Sequence, residues 1–231
     1  MADTFLFEKE GPITTITFNQ PEHRNFMNHE IMRKMEGLIR QVRDDRETRV
    51  LITTGTGAAF SAGAEVSVPK GVTDRKEQAR IFSERNRGLA RVIGRVFDLI
   101  MRLDCLTIAA VNGHAVGGGW AIAVAFDLIL AAEQAEFWVP EVDLNQPYLG
   151  GPAHVMAMRM GPWRAKEAMI LCRRYTAREL FEIGMVNEVV KAEKLMARAR
   201  ELAQVLAKKH PRAAAATKHF VDAAFVGPRW Y

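Results

Sequence analysis

Ala109-Ala-Val-Asn-Gly-His-Ala-Val-Gly-Gly-Gly-Trp-Ala-Ile-Ala-Val-Ala125 is the stretch from which the fold is read. Its apolar start up to Val111 predicts a short buried strand, Asn112-Gly113 a turn, and Gly117, Gly118 and Gly119 the entry to an Ala-rich helix. Three successive glycines give up backbone entropy and side-chain packing, and what they gain is close approach of another group to the main chain. The first N–H groups of a helix lack internal partners and sit at the positive end of its dipole, so an oxyanion or phosphate suits that place. A second turn has the same design, Leu51-Ile52-Thr53-Thr54 leading to Ser61-Ala62-Gly63-Ala64. If the two strand ends are neighbours, one N–H from each can grip a single oxygen, and each donor of such an oxyanion hole is worth about 3–4 kcal/mol in the transition state. The same glycines would also serve tight helix–strand packing, and spacing alone does not separate the two readings.

Outward from that stretch, 231 residues with 48% hydrophobic content are enough to bury one sizeable core. Cys105 and Cys172 lie in apolar contexts, form no CxxC pair and read as packing residues of a reducing compartment. The N-terminus has no basic region followed by an apolar run, and the apolar stretch through Phe126 is stopped by Asp127, so a soluble cytoplasmic protein without membrane contact is expected. A net charge of +5 suits phosphate-bearing small ligands and equally permits weak nucleic-acid binding.

Thr4–Glu8 and Ile13–Phe18 around Gly11-Pro12 predict a hairpin. Asn28 is a candidate cap for a helix whose apolar stripe is Ile31, Met35, Leu38, Ile39 and Val42. Val50–Thr53 reads as a buried strand, 55–65 as a long loop of small residues, and 74–103 as helical with interruptions at Gly88 and Gly94. Arg75, Arg80, Arg85, Arg87, Arg91, Arg95 and Arg102 of that segment read as a solvated or subunit-facing surface. Strands are expected at Leu128–Ala131 and before Pro140, and the chain beyond is expected to be almost wholly helical. Strands alternating with helices, then helices alone, imply an α/β core with a helical tail, and no internal repeat is evident.

Glu141 is a carboxylate placed directly after Phe137-Trp138-Val139-Pro140. Half-buried against those rings, it would have a raised pKa, useful for moving a proton near neutral pH. Alone, a solvated glutamate at a strand end is the commoner case; it gains weight from the two glycine turns.

Three segments, Phe60-Ser-Ala-Gly-Ala-Glu65, Ala109 through Gly119, and Phe137-Trp-Val-Pro-Glu141, together resemble the crotonase (enoyl-CoA hydratase/isomerase) superfamily. Gln20-Pro-Glu-His-Arg-Asn25, Tyr175-Thr-Ala-Arg-Glu-Leu180 and Gly184-Met-Val-Asn-Glu-Val189 fit the same pattern, in order, between Phe5 and Lys218. The resemblance implies a crotonase-like ββα spiral core over residues 1–175 and a helical C-terminal trimerisation region over 176–231. It also implies an acyl-coenzyme A thioester as substrate, no permanently bound cofactor or metal, and a homotrimer or dimer of trimers. On the matching positions, Ala64 and Gly118 would donate the two oxyanion N–H groups, while Ala62, Glu65, Val66, Arg24 and Phe26 would line the coenzyme A path. Trp120 is a candidate for shaping the acyl pocket, and Tyr148 for holding a water or acting as a second acid beside Glu141.

The departures are as informative. Hydratases of the superfamily carry one glutamate two residues after the glycine triplet and another at the Pro-Glu position; here the first is Ala121 and Glu141 stands alone. A single carboxylate resembles the isomerase arrangement, in which one base shuttles a proton between carbons, although hydratases, lyases and C–C bond hydrolases with another second group remain alternatives. Asn145 stands where glycine is common, and the chain stops at Tyr231, short of most of the last helix of the superfamily. Two rivals lie outside this chemistry. Ala59-Phe-Ser61-Ala-Gly63 approximates a serine-nucleophile elbow, with Asp127 or Asp143 and His154 or His210 in hydrolase order. An RNA-binding crotonase-like protein using the arginine face is the second, separable by salt-dependent retention on RNA. Nucleotide and zinc fingerprints fail: Phe60 replaces the third glycine after Gly55 and Gly57, and Arg33 follows His29-Glu30 where a histidine ligand is needed.

Overall fold

Alternation along the first strands builds an antiparallel hairpin, β1 (Phe5–Glu10) and β2 (Ile13–Phe18), in a computed structural model that describes residues 3–65, 74–148 and 151–226. Asn28 then caps α1 (His29–Asp44), its side chain accepting from the Ile31 N–H at 2.9 Å. Three strand–strand–helix units follow: β3 (Val50–Gly55), β4 (Ala59–Ser61) and α2 (Arg75–Met101); β5 (Leu106–Val111), β6 (His114–Val116) and α3 (Gly118–Ala123); β7 (Leu128–Ala132), β8 (Glu136–Trp138) and α4 (Gly151–Met160). The chain continues through α5 (Pro162–Ile170), β9 (Tyr175–Thr176), α6 (Ala177–Glu182), β10 (Glu188–Val190), α7 (Leu195–Ala207) and α8 (Pro211–Val226).

The first strand of each unit joins a six-stranded sheet of order β1-β2-β3-β5-β7-β10, and the second joins a small sheet of order β4-β6-β8-β9. Pairing is parallel within β2-β3-β5-β7-β10 and within β4-β6-β8. This is the ββα spiral expected from the resemblance. Period-two alternation gives the large sheet two apolar faces. Leu51, Ala109, Val111, Ile129 and Ala131 point into the main core with α1, α2 and α3. Val50, Ile52, Ile108, Ala110, Leu130 and Ala132 point the other way, against Leu195, Ala199 and Ala203, which form a four-residue-spaced stripe on α7.

Three expectations are corrected. The loop of small residues contains β4, the segment from 75 to 101 is one uninterrupted helix capped by Asp74, and the C-terminal region contributes β9 and β10. Strands of two or three residues carry no readable periodicity and exist through partners distant in sequence. Gly88 does not break α2 but admits α1, since a Cβ there would lie 3.0 Å from Cε1 of His29. Lys218 fastens α8 to the sheet: its ammonium lies 3.0 Å from the Asp127 carboxylate and 3.2 Å from the Cys105 carbonyl. That carboxylate oxygen also accepts from the Thr107 N–H and hydroxyl, at 2.8 and 2.9 Å. Burial pushes the Cys105 thiol up to about 12, consistent with an inert packing role. No helix among the described residues is long and apolar enough to cross a membrane.

Candidate active site

The first glycine turn is strapped down by the segment that precedes α1. The Ala62 N–H donates to the Arg24 carbonyl at 2.8 Å, the Met27 N–H to the Gly63 carbonyl at 2.7 Å, and the Glu65 N–H to the Met27 carbonyl at 2.8 Å. Met27 therefore bridges Ala64 in parallel pairing that uses the Gly63 carbonyl and the Glu65 N–H on either side of Ala64, leaving the Ala64 N–H facing away from the strap. Buried Asn25, at φ 55°, holds the strap's bend by donating to the carbonyls of Thr56 and Ala59 at 2.9 and 2.8 Å. Ser61 is wholly buried; its hydroxyl donates to the Asn25 carbonyl at 2.6 Å and accepts from the Gly63 N–H at 3.1 Å. Those bonds, together with the engagement of Asp127 by Lys218 and Thr107, remove the serine-hydrolase reading.

The second turn lies directly on the first. Gly63 has φ +78°, and a Cβ there would overlap the Val116 carbonyl and lie 3.3 Å from the Gly118 nitrogen. A Cβ on Gly118 would in turn lie 3.9 Å from the Ala64 nitrogen and 2.9 Å from Cδ1 of Ile93 on α2. Position 63 thus demands glycine for backbone conformation and space, whereas a Cβ on Gly118 would require the tip of the Ile93 side chain to move aside.

Gly117, at φ +48°, serves a third approach. A Cβ there would collide with the Glu141 carboxyl, lying 3.2 Å from its Cδ and 3.3 Å from Oε2. Trp138 holds this register by accepting from the Gly117 N–H at 2.8 Å. The Glu141 Oε2 atom is buried with no hydrogen-bond partner, and burial pushes the carboxyl up to about 7. After Glu141 the chain turns back, with the N–H groups of Leu144 and Gln146 both donating to the Glu141 carbonyl, at 3.1 and 2.8 Å. Asn145 makes the turn at φ 55°, a conformation asparagine tolerates in place of the usual glycine. The return brings the Tyr148 hydroxyl, also buried and unpartnered, beside Glu141; burial and then the Glu141 charge push its pKa well up.

A cavity of about 640 Å³ joins these parts, with Ala62, Ala64, Gly117, Gly118, Glu141 and Tyr148 on its wall. Ala121 lines it, but Trp120 does not: the indole is fully buried in the core against Phe137 and Tyr175, with ring centroids 5.7 and 6.1 Å away. Arg24 is exposed, Phe26 is half-buried against the His23 ring, and Glu65 is partly exposed beside the first turn; none of the three lines the cavity. Val66 lies outside the described residues.

What sequence reasoning missed is the opposite wall, supplied by α2. Arg87, Arg91 and Arg95 recur every four residues along the cavity with Ala90 and Gly94 between them, in place of the solvated or subunit-facing surface that the sequence predicts. Arg95 approaches Glu36 at 3.5 Å, while Arg87 and Arg91 make no salt bridge among the described residues and leave the rim positive. The available signal was that four-residue repeat with small residues interleaved.

The enoyl-CoA hydratase/isomerase family model matches residues 8–229. The chain belongs to this family. It is 32% identical over 219 residues to the short-chain-enoyl-CoA hydratase of Clostridium acetobutylicum, covering 94% of this chain and 80% of the relative. An enoyl-CoA hydratase structure from Bacillus anthracis superposes with TM-score 0.85 at 29% identity, covering 95% of this chain and 83% of that one. A monofunctional enoyl-CoA isomerase from M. smegmatis superposes with TM-score 0.79 at 26% identity, covering 97% and 95%. An enzyme of the enoyl-CoA hydratase/isomerase family acts on acyl-coenzyme A thioesters.

Proposed function

We propose that this chain shifts the double bond of an enoyl-CoA by single-base proton transfer through a thioester enolate. The thioester oxygen sits between the Ala64 and Gly118 N–H groups. The Glu141 carboxylate removes a proton from Cα of a 3-enoyl thioester, and the electron pair moves onto that oxygen as the enolate forms. The protonated carboxyl then delivers the proton to Cγ as the double bond moves to Cα–Cβ. The supporting observation is that, of the two carboxylates on the cavity wall among the described residues, Asp98 is exposed and Glu141 keeps a buried, unpartnered Oε2, while position 121 presents a methyl group. A carboxyl titrating near 7 both removes and returns a proton with little driving force lost in either direction.

The positive rim of Arg87 and Arg91 suits the phosphates of coenzyme A. Ala62 lies on the cavity wall, and in this reading Arg24, Phe26 and Glu65 meet the coenzyme A portion of the substrate outside the cavity. Trimeric assembly belongs to the same proposal: Trp163, Leu171 and Phe220 are 77%, 72% and 82% exposed and supply apolar surface for subunits to cover. Glu141→Gln keeps the side chain's shape and removes the base. Turnover should fall by roughly 10³-fold or more while acyl-CoA affinity stays within about threefold; retention of most turnover refutes the assignment.

A further inference from the structure

A second cavity, of about 700 Å³, lies beneath α8, and none of its lining residues belongs to the cavity at Glu141. The inner face of α8 is its cause. Ala213, Thr217 and Val221 form one row at four-residue spacing and Ala214, Lys218 and Asp222 the next, so the helix presents alanines and a threonine where large apolar side chains would fill the space. Thr217 turns its hydroxyl back to the Ala213 carbonyl, at 2.8 Å. The opposite wall is apolar, with Met101 from α2, Phe126 after α3, and Val155 and Met158 from α4.

One cation in that wall is short of partners. Arg159 of α4 donates through one terminal nitrogen to the Phe126 carbonyl and makes no salt bridge among the described residues. A guanidinium carries five N–H donors, so a single carbonyl leaves most of them to be met. Burial pushes its pKa down, and the charges of Asp127 and Asp222 act the other way. Asp127 is already held by the Lys218 ammonium at 3.0 Å. Lys209, exposed at the cavity edge, makes no salt bridge among the described residues, and His210 beside it uses Nδ1 on the Ala213 N–H. Arg159, Lys209 and Lys218 thus face Asp127 and Asp222, which leaves the lining with one positive charge in excess.

We propose that this cavity is a second ligand site, which takes a straight-chain amphiphile with one negative charge, of the chemical class of a free fatty acid. The carboxylate meets the open edge of the Arg159 guanidinium, whose planar fork matches two carboxylate oxygens. The hydrocarbon chain runs beneath the alanines of α8 against Met101, Phe126, Val155 and Met158. A neutral chain leaves the guanidinium donors unmet, and a dianionic head exceeds the single spare charge. The site is independent of the reading of Glu141. Because α2 and α4 line both cavities and a hydrocarbon chain finds apolar surface in either, the two have to be separated by experiment.

The test is isothermal titration of decanoate, with 1-decanol as the uncharged control, into the full-length protein with and without saturating butyryl-CoA. Decanoate should bind equally in both, at least about tenfold more tightly than 1-decanol, and Arg159→Gln should weaken it about tenfold or more. Val221→Trp, at an exposed position of α8, fills the cavity from its other side and should abolish decanoate binding. It also decides the matter if thermal unfolding shows Arg159→Gln to be unfolded. Absence of decanoate binding overturns the proposal, as does equal affinity for 1-decanol. Competition with butyryl-CoA places the chain in the catalytic cavity and overturns it too, as does unchanged decanoate affinity in Val221→Trp or in folded Arg159→Gln.

Discussion

Removing the Glu141 charge should make the protein more stable in a pH-dependent way. A carboxyl that titrates near 7 when folded and near 4.5 when exposed disfavours the folded state once ionised, by about 3 kcal/mol at 1.36 kcal/mol per pH unit. The folded state holds its proton more tightly than the unfolded one. Stability from this group is therefore complete below pH 4.5, declines as pH rises, and is fully lost above pH 7. Glu141→Gln has no such titration. Between pH 5 and 8 the variant should gain about 2–3 kcal/mol over wild type, or roughly 5 °C in Tm for a chain of this size. Thermal unfolding of both proteins at pH 5, 6, 7 and 8, at one protein concentration and ionic strength, reads the difference directly. A Tm gap that stays constant across that range refutes the reasoning, because it means the carboxyl is hydrated or paired in the folded protein.

Other consequences follow from the same geometry. Gly63→Ala forces a side chain into φ +78° and against the Val116 carbonyl, moving the Ala64 and Gly118 N–H groups proposed as oxyanion donors; kcat/KM should fall by roughly 100-fold or more with the circular dichroism spectrum retained. Lys218→Met leaves Asp127 without its buried cation and should destabilise the fold by about 3 kcal/mol, measured by urea unfolding, while a change below about 0.5 kcal/mol would show that α8 is held otherwise. The Arg87→Gln, Arg91→Gln double variant should raise KM for acyl-CoA about tenfold at low salt, with the difference narrowing at high ionic strength.

The parts legible in the sequence were those with local causes. The strand ending at Val111, the helix entered at Gly118, the Asn28 cap and the apolar stripe of α1 each follow from residues within one or two turns, and the structure carries all four. Glu141 was legible through its apolar neighbours, and burial pushes its carboxyl up. The unreadable parts have distant causes. Strands β4, β6, β9 and β10 are two or three residues long and depend on partners contributed from elsewhere in the chain. Trp120 follows the glycines, and its sequence context fits core packing, the commoner fate, as well as the acyl pocket; a helix turns its side chains about 100° per residue, so Ala121 reaches the cavity wall while the indole enters the core. The α2 arginines carry a helical repeat that solvent, a subunit or a cavity would explain equally; which one applies depends on where α2 crosses the glycine turns, and Ile93 against Gly118 marks that crossing.

The most direct test of single-base chemistry is Cα deuterium exchange of a saturated acyl-CoA in D₂O, measured for wild type and Glu141→Gln alongside the affinity of each for the same thioester. The account predicts exchange by wild type, its loss by roughly 10³-fold in the variant, and affinities within about threefold of each other. Exchange that persists in Glu141→Gln would show that another group moves the proton and would contradict the account.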